Sequence, residues 1–209
     1  MKACTCKTGH VPSMPHRGRR KGSARTRRTN VGSGVAIPDV DPNQATTIVR
    51  VEEGHYTAES SIEMPMGADR LFDILLDYGN CHKIFRNISD SQITKDEQGN
   101  KQVLQTCSWT FMLFRGSFDT LFDVTEDVEK RTIRFEARDS GFMGRFEVEW
   151  ALQELGKERT RADYTLTVKP SLLPPRPVQK YTDKIFQKQV GHLVEDLCAE
   201  VERQLRTSR

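Results

Sequence analysis

The sequence of 209 residues is long enough for one domain with a tail, and its 36% hydrophobic content allows a core, although mean hydropathy is low. No run approaches the roughly 18 consecutive apolar residues that span a bilayer, so a soluble protein is expected. The net charge of +3 hides an asymmetry: residues 1–38 carry nine Lys or Arg and no Asp or Glu, whereas residues 39–209 carry 23 basic and 29 acidic side chains. An acidic body lacks the clustered cations that phosphate contacts require, so no nucleic-acid partner is expected.

The first segment, from Arg17 through Arg28, is basic, rich in small residues and free of acids, and no apolar run follows it. That composition fits an organellar transit peptide rather than a secretory signal. Pro12, Pro15, Gly9, Gly18 and Gly22 would break the amphipathic helix typical of mitochondrial presequences, which favours a chloroplast (plastid) address over the alternative, the mitochondrion. A disordered basic arm, or a nuclear-localisation or nucleic-acid patch, remains open. Cysteines number five (Cys4, Cys6, Cys81, Cys107 and Cys198), an odd count without framework spacing, so no disulfide scaffold is expected. Cys4 and Cys6, with His10 and His16 nearby, lack a second pair at finger spacing, so no metal and no cofactor are expected. Pro38, Asp39, Asp41, Pro42 and Asn43 read as a linker, which divides the chain into residues 1–45 and a domain over 46–209.

In the domain, Tyr56, Ala58, Ser60, Ile62 and Met64 alternate with polar residues and predict a half-buried strand. Leu71, Phe72, Leu75 and Leu76 then fall at helical spacing, with Gly79-Asn80 as the stop. A second short helix or turn covers 81–88. A meander of about six short strands follows, with turn signals about every ten residues: Asp90 to Lys95, 101–111, then Phe118 to Val124, Ile133 to Ala137, Phe146 to Leu152 and Ala162 to Val168. After Pro170, Pro174, Pro175 and Pro177, apolar residues from Ile185 to Leu205 recur every three or four positions and predict a long amphipathic helix over 179–205. Only the sheet is large enough to bury its stripe.

This order, together with Ala68-Asp69-Arg70-Leu71-Phe72-Asp73-Ile74-Leu75-Leu76-Asp77-Tyr78, then Phe85 and Ile88, resembles the START-like (SRPBCC, Bet v1-like) superfamily over roughly residues 46–206. The run Leu173-Pro174-Pro175-Arg176-Pro177 resembles its polyketide cyclase/dehydrase or coenzyme Q-binding branch, while Cys81-His82-Lys83-Ile84-Phe85 lacks the proline-flanked run common there. The resemblance implies an α+β helix-grip fold: a curved antiparallel sheet of about 6–7 strands around a long C-terminal helix, with two short helices after the first strand. It also implies a cavity for a hydrophobic lipid, quinone, isoprenoid or polyketide.

The candidate lining is aromatic on the sheet side. Trp109, Phe111, Phe118 and Phe122 share the inward phase, as do Phe135, Phe146, Trp150 and Tyr164. The helix side offers Phe186, Gln189, Val190 and Leu193. Tyr164, Tyr181 and Gln189 are candidates for orienting a ligand; His82 is a candidate base, weighed against a solvated surface position. His192 reads as a helix-face residue, and Arg115, Arg138 and Arg145 are candidates for a headgroup contact. No catalytic residue is assignable, because no triad order, phosphate loop or metalloprotease motif occurs. The expected function is binding or carriage of a hydrophobic small molecule by a monomer that makes transient membrane contact. The alternatives are a cyclase/dehydratase-type enzyme and a cofactor or protein assembly factor.

Overall fold

The computed structural model describes residues 45–208 apart from 112–113, 140–142 and 172–175, with backbone alone at 109–111, 114–115, 139, 143 and 176–183. The basic N-terminal segment expected to be a transit peptide, Cys4, Cys6 and most of the proline run therefore lie outside the described residues.

Strands β1 (Thr46–Glu52) and β2 (His55–Met64) open the domain. Helix α1 (Ala68–Leu76), a single 3-10 turn (Tyr78–Asn80) and the short helix α2 (Cys81–Ile84) follow. The meander is β3 (Ile88–Lys95), β4 (Lys101–Phe111), β5 (Phe114–Asp127), β6 (Thr132–Asp139), β7 (Met143–Gly156) and β8 (Arg159–Pro170). Helix α3 (Arg176–Thr207) closes the chain. Among the described residues one antiparallel sheet runs in the order β1-β2-β8-β7-β6-β5-β4-β3. This is the helix-grip fold, with eight strands.

The strand not expected is β1. Its hairpin to β2 turns through Glu53 and Gly54, both with positive φ (50° and 78°), the geometry of a two-residue primed turn. Glu stands where Asn, Asp or Gly would have announced it. As a result the short helices follow the second strand rather than the first.

Local chemistry fixes the rest. In β2 the even positions Tyr56, Ala58, Ser60, Ile62 and Met64 are buried, and the register with β8 sets them opposite Val168, Leu166, Tyr164, Ala162 and Thr160 on one inward face. Gly67 precedes α1, and a Cβ there would sit 2.9 Å from the Lys157 carbonyl oxygen, so only glycine lets the chain enter the helix so close to the β7–β8 turn. Helix α1 buries Leu71, Phe72, Ile74 and Leu75 and packs on β7 and β8. It ends at Leu76, and Gly79 and Asn80 belong to the 3-10 turn beyond it. Helix α3 starts three residues earlier than expected, with Pro177 in its first turn, where a missing N–H costs nothing. It packs against β1 and β2, at one edge of the sheet. Farther along α3, Asp196 is buried and accepts the Arg86 backbone N–H at 2.9 Å and its Nε–H at 2.7 Å. That pair ties the link between α2 and β3 to the helix.

Candidate functional site

Where the sheet face runs out from under α3, a cavity of about 70 Å³ remains between the central strands and the helices. Its sheet wall is built from alternate positions of successive strands: Gln105 and Cys107 on β4, Phe122 on β5, Phe135 on β6, and Phe146, Val148 and Trp150 on β7, with Tyr164 on β8. The opposite wall comes from Leu75 of α1, Cys81 of α2, the following Phe85, Asn87 and Ile88, and Leu193 of α3.

The rings interlock across strands. Phe122 meets Phe135 edge-on at 5.8 Å and Phe146 at 5.3 Å between centroids; Trp150 lies 4.6 Å from Tyr164, its cross-strand partner, and Phe85 stacks on Trp150 at 6.5 Å. Each pair contributes beyond its buried area, so the wall is a connected web rather than loose rings. Behind Phe135 stands Tyr78, edge-on at 5.4 Å, whose hydroxyl donates to Glu126 Oε1 at 2.6 Å; Lys101 Nζ reaches the same oxygen at 2.6 Å. Burial works against the Glu126 charge, but the hydrogen bonds from Lys101 and Tyr78 outweigh it and hold that carboxyl below its ordinary range.

Among the described residues the lining carries no charged side chain. Burial, with the charge of Asp77, pushes the Cys81 thiol up to about 12; burial, with that of Asp119, does the same to Cys107. Burial, with Cys107 nearby, also raises the Tyr164 phenol above its ordinary value. All three therefore stay protonated at neutral pH. Two amides complete the polar part. Gln105 is buried, and its Nε2 lies 3.4 Å from Ser91 Oγ. Asn87 Oδ1 is buried without a hydrogen-bond partner, although the Asn87 backbone oxygen accepts from Ser108 N–H at 2.7 Å.

Of the residues expected from sequence, Phe122, Phe135, Phe146, Trp150, Tyr164 and Leu193 line this cavity. Phe118 sits behind Phe146 at 6.1 Å and is half-buried. Phe186 stacks on Tyr56 at 5.3 Å, Val190 is fully buried and Gln189 is half-buried, and none of these three borders the cavity. The reason is the position of α3, which lays this stretch over the β1–β2 edge. The side chains of Trp109, Phe111, Tyr181 and Arg115 lie outside the described ones. His82 is exposed and His192 half-buried, both away from this lining. Arg138 Nε–H donates to Asp123 at 3.1 Å, and Arg145 is engaged with Glu147, so both arginines hold surface carboxylates. Asn87, Gln105, Cys81 and Phe85 were not singled out from sequence as lining. Gln105 was findable, since it lies between Val103 and Cys107 in the inward phase. No group of His, Cys, Asp or Glu among the described residues is arranged to hold a metal ion.

Known proteins share this architecture. The family model described as "Polyketide cyclase / dehydrase and lipid transport" matches residues 64–198, well over half of the chain. A START superfamily protein from Mycobacterium smegmatis superposes with a TM-score of 0.61 at 18% identity, covering 72% of this chain and 99% of that one. The Zhui aromatase/cyclase from Streptomyces sp. R1128 superposes equally, at 0.61 and 18%, over 74% of this chain and 98% of its own. A STAR-related lipid transfer protein from Xanthomonas axonopodis gives 0.55 at 15%, over 75% and 93%. No curated protein matches the chain by sequence.

Proposed function

Since the chain belongs to the polyketide cyclase/dehydrase and lipid transport family, we propose that it binds and carries a hydrophobic small molecule, such as a lipid, quinone, isoprenoid or polyketide, in the cavity between the central strands and the helices. The observation that supports this most is the web of Phe122, Phe135, Phe146, Trp150 and Tyr164 around a partly open space with a few convergent polar groups. At about 70 Å³ the cavity is smaller than the roughly 300–1,000 Å³ of sites for drug-sized ligands, so loading moves wall rings. Half-buried Phe146 and Val148 are the members with room to move.

The carrier reading is favoured over a cyclase or dehydratase by the state of the lining. Among the described lining residues none is charged, and Cys81, Cys107 and Tyr164 are held protonated, so they can donate but offer no base near neutrality. The names of the two relatives, an aromatase/cyclase and a lipid transfer protein, fit the two readings one each. In the carrier reading the protein acts as a monomer that meets membranes transiently; no described helix is long and apolar enough to cross one. Residues 1–45 would direct it to the plastid. A reporter fused to that segment should enter plastids, and nuclear accumulation would sink the address.

The binding test is native mass spectrometry of the full chain from a lipid-rich host, followed by organic extraction. A reproducible co-purified hydrophobe is the expected result. A protein that retains nothing, and takes up no quinone, sterol or fatty acid, would overturn the reading.

A further inference from the structure

Polar atoms on an apolar wall are costly unless something answers them. Leaving a buried acceptor without a donor forfeits its hydration, and the loss is recovered when a ligand supplies the missing group. Asn87 Oδ1 is such an acceptor: it is buried, has no partner, and belongs to a residue that borders the cavity. Its backbone is held in place, because Asn87 O accepts Ser108 N–H at 2.7 Å and the neighbouring Arg86 is clamped to buried Asp196. The Asn87 backbone is therefore fixed at the border of the cavity by the attachment of β3 to β4 and of the α2–β3 link to α3.

The surroundings limit what charge the ligand can carry. Cys107 pairs with Phe118 in the β4–β5 ladder and Ile88 pairs with Cys107, which brings Asn87, Gln105 and Cys107 to one end of the space. Among the described lining residues there is no Lys, Arg or His to neutralise a carboxylate or phosphate, and no Asp or Glu to neutralise an amine. An ion taken into such a wall keeps an uncompensated charge, which is far more costly than a neutral group.

Building on the binding role above, we propose that the cavity selects uncharged hydrophobes bearing a single hydrogen-bond donor, a hydroxyl or an amide N–H, and that Asn87 Oδ1 accepts that donor. Charged amphiphiles of the same skeleton, fatty-acid-like carboxylates above all, are excluded. Asn87 is a positioning and specificity residue; the aromatic web supplies the affinity that all skeletons share.

The test is equilibrium dialysis of the full-length protein at pH 7 against a matched set: 2-naphthol, 2-methoxynaphthalene, 2-methylnaphthalene and 2-naphthoate. The phenol should bind about three- to tenfold more tightly than the ether, the increment of one satisfied neutral hydrogen bond. The carboxylate should bind weakest, about tenfold or more below 2-methylnaphthalene, for want of a counter-charge. Asn87→Leu should erase the preference for the phenol while retaining 2-methylnaphthalene, whose binding also reports that the variant is folded. Naphthoate binding as well as naphthol, or ether and phenol binding alike, overturns the proposal while leaving the hydrophobe-binding role intact. A phenol preference that survives Asn87→Leu overturns the part assigned to that residue. If none of the four binds while a hydrophobe still co-purifies with the protein, the selectivity proposed here is overturned and the binding role stands.

Discussion

One inward face of one sheet does two different things. Over β1, β2 and β8 it is filled: Ala58, Ile62 and Met64 lie at 4% exposure or less, and Val190, Val194, Leu197 and Val201 of α3 are buried as deeply. Over β4 to β7 it borders a hollow: Val103, Phe122 and Ile133 are buried there too, but Phe146, Val148, Val124 and Ala137 are only half-buried although their alternation is as regular. The difference lies in what covers the face. Helix α3 packs on β1 and β2, where even the rings of Tyr56 and Phe186 stack between strand and helix, whereas only Leu193 of α3 borders the cavity beyond. Periodicity therefore decides which side chains turn inward; the path of the helix decides where they leave a space.

The comparison makes its strongest demand at Leu197, which is fully buried on the filled side. Leu197→Ala should cost about 2–5 kcal/mol, the range for emptying a packed core position, read as a lower urea midpoint. Phe146→Ala, on the hollow side, removes a larger side chain but should cost less than the roughly 3 kcal/mol of a fully buried Phe, and should let the protein retain bulkier hydrophobes on extraction. Equal losses from the two variants would break the distinction between filled and hollow. Asp196→Ala tests the join between them. It strips Arg86 of its buried partner, and since Arg86 is itself half exposed, a loss of about 1–2 kcal/mol is expected. Because Phe85, Asn87 and Ile88 line the cavity beside Arg86, bound hydrophobe should also exchange faster, measurable by stopped-flow displacement.

The sequence carries the filled side more openly than the hollow one. Strands β2 and β8 alternate cleanly because one face is buried along their whole length, and α1 announces itself through Leu71, Phe72 and Leu75. Strand β1 is silent for a physical reason: at this edge Thr47 and Val49 alternate as half-buried positions, but Ile48 and Val51 stand about half exposed between and beyond them, so the burial period does not show as a polar–apolar one. The rings Phe122, Phe135, Phe146, Trp150 and Tyr164 were legible as a set from the period of two. Asn87 was not, because it sits in the link before β3, where no period exists, whereas the phase of Gln105 between Val103 and Cys107 marks it as inward despite its polarity. Phe186, Gln189 and Val190 were grouped with the lining because a helical stripe says which residues turn toward a sheet, and nothing about which part of the sheet lies beneath them.

The smallest expected effect concerns what stands behind the hollow wall. Tyr78 is almost fully buried, braces Phe135 and donates to Glu126, which Lys101 also engages. Tyr78→Phe keeps the ring and removes the donor, so it should cost about 1 kcal/mol, the net worth of one hydrogen bond. The Glu126 carboxyl is held below its ordinary value of 4.5. A group depressed in the folded state lends stability that is fully present above its unfolded pKa and is lost as pH falls through the folded one. Stability should thus decline with acid below about pH 4.5, and Glu126→Gln should flatten only part of that decline, since Asp96, Asp123, Asp127 and Glu200 are depressed as well. Urea titrations at stepped pH would read both effects. An unchanged slope in Glu126→Gln would mean that the contact behind Phe135 lends the hollow wall nothing, and that the rings hold their positions through one another alone.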